Sequence, residues 1–113
     1  LKGNRQNGFD DFAAVAQDIV KRGIATAGSL GIQGGSNGGL LTGVSLTQHP
    51  ELFGAVIIEV PLLDMLRYTE LPPGASWMAE YGDPSKPEDA QWLSAYSPYQ
   101  HVKADAAYPP VLL

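Results

Sequence analysis

Cysteine is absent from the 113 residues. That excludes a disulfide framework, a thiol nucleophile and any zinc or iron–sulfur site built on cysteine. It leaves the compartment open between cytoplasm and periplasm, because intracellular and exported proteins both do without it. Basic residues are scarce as well. Seven Lys and Arg stand against twelve Asp and Glu, for a net charge of -5. A chain so balanced offers no basic face to displace counterions, so neither nucleic acid nor an anionic membrane is expected as a partner. No apolar run approaches the roughly 20 residues that cross a bilayer. Charge of either sign is thin at 17%, while 44% of residues are apolar, a ratio that belongs to a packed core and not to a disordered tail.

What is present is ordered by glycine and proline, which fall between periodic blocks as punctuation. From Gly8 to Gly23, Phe9, Phe12, Ala16, Ile19 and Val20 recur at helical spacing, an apolar stripe that predicts a helix. Asp10 and Asp11 are expected in its first turn and Lys21 and Arg22 in its last, each complementing the helix dipole. Gly23 can take the left-handed capping conformation. Ser29 to Gln33 is a short apolar run, followed by Gly34-Gly35-Ser36-Asn37-Gly38-Gly39 and a new helical pattern from Leu40 that ends at His49, ahead of Pro50. Ala55 to Val60 is β-branched and nearly continuous, the pattern of a strand buried on both faces.

Strand, helix and strand within about 30 residues form a βαβ unit with parallel strands. The fold class is therefore α/β, a mostly parallel sheet flanked by helices on both sides. A further helix is expected over Pro87–Tyr96 and a third strand over Pro109–Leu113. The chain begins at Leu1 and ends in an apolar segment, so both ends are expected to be cuts through a longer polypeptide.

Gly34-Gly35-Ser36-Asn37-Gly38 matches G-x-S-x-G after a strand and before a helix, the setting of a nucleophile elbow. Lifting a hydroxyl out of the top of a sheet takes a sharp turn and a strained residue, at a cost of about 1–3 kcal/mol. Gly34 and Gly38 are expected to let strand and helix approach, with Gly35 and Gly39 loosening the site. The first amides of the helix lack intrahelical partners, which places the Asn37 N–H to stabilise an oxyanion. The competing reading is a glycine-rich turn in which Ser36 merely caps the helix. Phosphate binding is weaker, since neither G-x-x-x-x-G-K-[ST] nor G-x-G-x-x-G can be aligned.

A serine needs a base, and the chain has two histidines. His49 lies at the far end of the helix that starts beside Ser36, roughly 18 Å off at 1.5 Å per residue. His101 is expected on the surface. In this kind of hydrolase the Asp and His follow the Ser in the chain, so both are expected beyond Leu113.

Asn7-Gly8-Phe9-Asp10-Asp11-Phe12, Gly34 to Leu41, Pro50-Glu51-Leu52-Phe53, Asp64-Met65-Leu66, Trp77 to Asp83 and Tyr96-Ser97-Pro98-Tyr99 together resemble the catalytic domain of the prolyl oligopeptidase family. The resemblance covers essentially the whole chain. It implies that residues 1–113 are part of an α/β-hydrolase domain, truncated before the strands bearing Asp and His, in a parent protein capped by a β-propeller that this chain lacks. It implies a serine peptidase cleaving short peptides after proline, with neither cofactor nor metal. Ser36 resembles the family's nucleophile. Asn37 resembles the next residue, whose amide serves the oxyanion and whose side chain can bond the substrate carbonyl. Trp77 and Tyr81 resemble walls of the proline pocket, and Leu62 falls at an aliphatic wall. The implied partners are proline-containing peptides and the remainder of the parent chain.

Physical chemistry bears on Trp77 separately, since an apolar ring without a donor is best selected by a flat aromatic face. Core packing is the alternative for that residue. Asp64 is expected to be a turn-forming carboxylate, Trp92 a core or interface residue, and Glu80, Asp83, Glu88 and Asp89 a solvated face. The chain alone is expected to be inactive, and a truncated sheet to expose an edge. Two functional alternatives stay open: a related serine hydrolase (acylaminoacyl or dipeptidyl peptidase, or esterase), and a non-catalytic α/β binding domain.

Overall fold

In a computed structural model that describes residues 2–113, the chain runs α1 (Gln6–Lys21), β1 (Gly31–Gly35), α2 (Asn37–Gln48), β2 (Ala55–Glu59), α3 (Met78–Tyr81), α4 (Pro87–Tyr96), α5 (Pro98–His101) and β3 (Val111–Leu112), with short 3-10 turns between. The sheet order is β1-β2-β3 and both pairings are parallel. Gly31 lies opposite Ala55, Gly35 opposite Glu59 and Val56 opposite Val111. Parallel neighbours need a crossover, and α2 supplies the one between β1 and β2.

Phe9, Ala13 and Ala16 form the buried stripe of α1. The helix ends in a Schellman motif: Gly23 sits at φ +73°, its N–H bonds the Val20 carbonyl, and the Ile24 N–H reaches back to Ile19. Helix α1 starts two residues before the apolar pattern suggested, so Asp10 and Asp11 lie beyond its first turn. Gln6 instead opens the helix and donates to the Asp10 carboxylate at 2.8 Å.

Helix α2 is the central element. Its Leu40 and Val44 join Phe9, Met65, Tyr81 and Leu93 in one apolar cluster, while Ala16, Phe53, Val56 and Ile58 form a second against the sheet. Each fully buried side chain of this size is worth about 1.5–3 kcal/mol relative to exposure. The core thus fixes α2 against β1 and β2, and with it the turn that joins β1 to α2.

Burial on both faces of the sheet is not what the structure shows. Along β2 exposure alternates: Val56 and Ile58 are buried, Ala55 and Glu59 exposed. In β1, Gly31, Gln33 and Gly35 are likewise exposed. A β-branched run reports that a strand fits a sheet, not how many faces have neighbours. Val111 and Leu112 are exposed too.

The acidic group is not a uniformly solvated face. Asp89 is buried and accepts the Asp83 N–H at 2.8 Å, and Glu80 pairs with Arg5 at 3.1 Å. Only Glu88 fits the expectation cleanly. A lone carboxylate in sequence cannot reveal a donor many residues away. His101 is half-buried, its Nδ1 2.8 Å from the Ser97 carbonyl, so that nitrogen carries the proton and donates. Trp92 packs against the first cluster and donates to the Tyr81 carbonyl at 3.2 Å. Asp64 is a turn-forming carboxylate as expected, bonded by the Leu66 N–H, by Arg67 Nε at 2.6 Å and by Gln100 Nε2 at 2.9 Å.

Candidate active site

Strand β1 ends at Gly35 and α2 begins at Asn37, so the whole reversal of direction falls on Ser36. Its backbone sits at φ 55°, ψ -115°, a sparsely populated conformation for a residue with a Cβ, costing on the order of 1–3 kcal/mol. Two hydrogen bonds hold it there. The Ser36 N–H donates to the Glu59 carbonyl of β2 at 3.0 Å, and its carbonyl accepts the Leu40 N–H at 3.2 Å. The residue is exposed, and its side chain makes no capping bond to the helix it precedes. A serine used as an N-cap would bond the second or third helical amide.

Close packing falls on Gly34, as expected, and on Gly39 in place of Gly38. A Cβ on Gly34 would lie 2.2 Å from the Gly38 carbonyl oxygen, and one on Gly39 would lie 2.9 Å from the Glu59 carbonyl. Around Gly38 itself nothing lies within 4 Å. Gly34 is tight because it faces the first turn of α2; Gly38 contributes its carbonyl to that contact while its own α-hydrogens face open space.

The side chain of Asn37 is held in a polar network. Its Oδ1 accepts from Arg5 Nη2 at 2.5 Å and from the Tyr81 hydroxyl at 2.6 Å. Its Nδ2 donates to Glu80 Oε1 at 3.2 Å, the oxygen that also receives Arg5 Nη1. The Arg5 guanidinium lies 4.6 Å from the centre of the Tyr81 ring, within cation–π range. Burial pushes the Tyr81 hydroxyl up to about 12, with Arg5 opposing and Glu80 reinforcing the shift. It therefore stays protonated, and donates to Asn37, through the neutral range.

Trp77 stacks on Tyr81 with ring centroids 5.9 Å apart and planes at 28°. Tyr81 is fully buried, edge-on to Tyr68 at 5.8 Å. Leu62 is half-buried against the same apolar cluster, as is Trp77. The structure thus brings Asn37, Tyr81 and Trp77 into one contiguous arrangement beside the elbow, with Leu62 on the cluster behind it. Beside Asn37 opens a cleft of about 520 Å³, bordered by Asn4, Arg5, Phe9, Gly38 and Leu41.

Arg5 and Glu80 escaped the sequence reading. Arg5 lies 32 residues from Asn37 and 75 from Glu80, and no local spacing marks such a meeting. His49 sits at the far end of α2, its Nδ1 3.6 Å from Glu51.

The model of the prolyl oligopeptidase family matches residues 2–113. Among curated relatives, the chain is 54% identical over 109 residues to the uncharacterized peptidase y4nA of Sinorhizobium fredii, covering 96% of this chain and 15% of that protein. It is 40% identical to a prolyl endopeptidase of Dictyostelium discoideum, over 99% of this chain and again 15% of the relative. Among solved structures, a post-proline cleaving enzyme from Rickettsia typhi superposes with a TM-score of 0.95 at 49% identity, over 97% of this chain and 16% of its own. The chain spans about 15% of the length of the curated relatives it matches, and its three parallel strands and helices are part of an α/β-hydrolase catalytic domain. With the strained Ser36, its flanking glycines and a match along the whole described chain, this protein belongs to the prolyl oligopeptidase family.

Proposed function

We propose that these residues are the nucleophile-bearing part of the catalytic domain of a serine peptidase that cleaves short peptides on the carboxyl side of proline. The observation that carries the reading is Ser36 at φ 55° with an exposed side chain that caps nothing. Strain of this kind persists where surrounding structure enforces it, and here it serves no helix-capping purpose. In the reaction, Ser36 Oγ attacks the carbonyl carbon that follows the proline ring, giving up its proton to a base. The resulting oxyanion meets the Asn37 N–H at the start of α2, a kind of contact worth about 10²–10³ in rate. The C–N bond then breaks, the amine leaves with the proton, and an ester on Ser36 remains. Water hydrolyses that ester and restores the hydroxyl.

His49 and His101 are both engaged elsewhere, so the base and its orienting acid come from the remainder of the parent chain, as does a second oxyanion donor. The 113 residues form a single partial catalytic domain without a propeller. Trp77, half-buried and stacked on Tyr81, supplies the flat aromatic face for the proline ring, Tyr81 completes that wall from behind Trp77, and Leu62 supplies an aliphatic wall. No cofactor or metal enters this chemistry. The names of the Dictyostelium and Rickettsia typhi relatives, prolyl endopeptidase and post-proline cleaving enzyme, support the same specificity.

The test is turnover of paired chromogenic peptides differing only in proline or alanine before the scissile bond, using the full-length protein. A proline-shaped apolar pocket is expected to favour proline by about 10-fold to 200-fold in kcat/KM. Comparable turnover of the two would move the protein to a related serine hydrolase of different specificity.

A further inference from the structure

Arg5 contributes a buried cation beside the elbow where a hydrophobic residue would pack with less desolvation. Its side chain is only 16% exposed, and its Nε is buried with no hydrogen-bond partner among the described residues. Burying a guanidinium incompletely bonded is costly. What it does make is specific: one arm to Asn37 Oδ1, the other to Glu80, and its flat face over Tyr81.

A guanidinium has donors only, so Asn37 must present its oxygen to Arg5. The Tyr81 hydroxyl takes the second lone pair of that oxygen. Glu80 Oε1 closes the ring by accepting one N–H of Asn37 Nδ2. The amide is thereby locked in one orientation, with both acceptor sites filled and one N–H of Nδ2 left over. A cation bonded to the oxygen draws electron density from the amide nitrogen, making the remaining N–H a stronger donor. Asn37 is also the first residue of α2, so anchoring its side chain fixes the first helical amide beside Ser36.

We infer that Arg5 is a positioning residue for the reaction: a charge-assisted clamp that sets Asn37, and through it the donors presented beside Ser36, with Glu80 neutralising the clamp. The inference rests on the reading of Ser36 as nucleophile. Arg5 touches no substrate in this scheme; it acts through Asn37.

A double-mutant cycle in the full-length protein tests it, with kcat and KM measured on a chromogenic proline peptide. Arg5→Met is expected to lower kcat about tenfold or more while KM stays within about twofold, the signature of donors lost in the transition state. Combined with Asn37→Ala, Arg5→Met should add nothing further, because residues acting in series are not additive. Arg5→Lys keeps the cation but loses the two-armed fork, so it should follow Arg5→Met and not the wild type; it also serves the cycle if Arg5→Met fails to fold. Additive effects of Arg5 and Asn37, an unchanged kcat in a merely less stable Arg5→Met, or full activity in Arg5→Lys would overturn the clamp. Ser36→Ala separates the two readings. Turnover surviving in that variant refutes the nucleophile, whereas a Ser36-dependent enzyme with additive Arg5 and Asn37 effects refutes the clamp alone.

Discussion

A methyl group on Gly34 would sit 2.2 Å from the Gly38 carbonyl oxygen and 2.6 Å from its carbon, both backbone atoms. Nothing flexible can yield there. Gly34→Ala should cost on the order of 2–4 kcal/mol in the urea unfolding of the full-length protein, at the severe end for a single substitution. Gly38→Ala, in open space within α2, should be neutral or gain up to about 1 kcal/mol from helix propensity. Val60 offers the opposite experiment. It is 81% exposed and holds φ 39°, a conformation a β-branched residue adopts only under strain. Relief should outweigh lost chain stiffness, so Val60→Gly is expected to stabilise by about 1 kcal/mol. The G-x-S-x-G pattern made Ser36 legible before any coordinates. Gly34 was legible with it; that Gly39 and not Gly38 is its tight companion was not, because that depends on how the first turn of α2 lies against β2. Arg5 was invisible for a similar reason: its meaning lies in Asn37, Tyr81 and Glu80, all remote in sequence.

Secondary structure was written locally, and the elements with strong periodicity came out accordingly. Helix α4 runs over Pro87–Tyr96 as expected, and β1, α2 and β2 form the parallel unit their order required. What local pattern could not carry was the environment of each element. Asp64, in the turn after β2, is a clear case. Burial would raise its carboxyl, but donors from Gln100, Arg67 and the Leu66 N–H outweigh that and hold it below the ordinary value of 3.8. A carboxylate held low in the fold stabilises above its unfolded pKa and loses that contribution as pH falls through the folded one. The stability gap between wild type and Asp64→Asn should therefore be fully present at neutral pH and shrink on acidification below about pH 4. A gap that stayed constant down to pH 2 would mean that the Asp64 charge contributes nothing.

Within the described residues the sheet has one covered face. Helices α1 and α2 pack on Val56 and Ile58, while Gln33 and Glu59 are exposed and β3 carries exposed Val111 and Leu112. The proposed chemistry has the same inequality: the strained Ser36 and the Asn37–Tyr81–Trp77 group beside it are here, and in that proposal the base comes from the remainder of the parent chain. The chain by itself is therefore expected to react negligibly with an organophosphonate, since the triad partners account for most of the rate and leave at best about 10³–10⁴ over water. The decisive measurement applies a fluorophosphonate to the full-length protein and maps the adduct by peptide mass. One phosphonyl group per molecule on Ser36, absent from Ser36→Ala together with proline-peptide turnover, is the predicted result. An adduct on any other residue, or turnover that outlives Ser36→Ala, would contradict it.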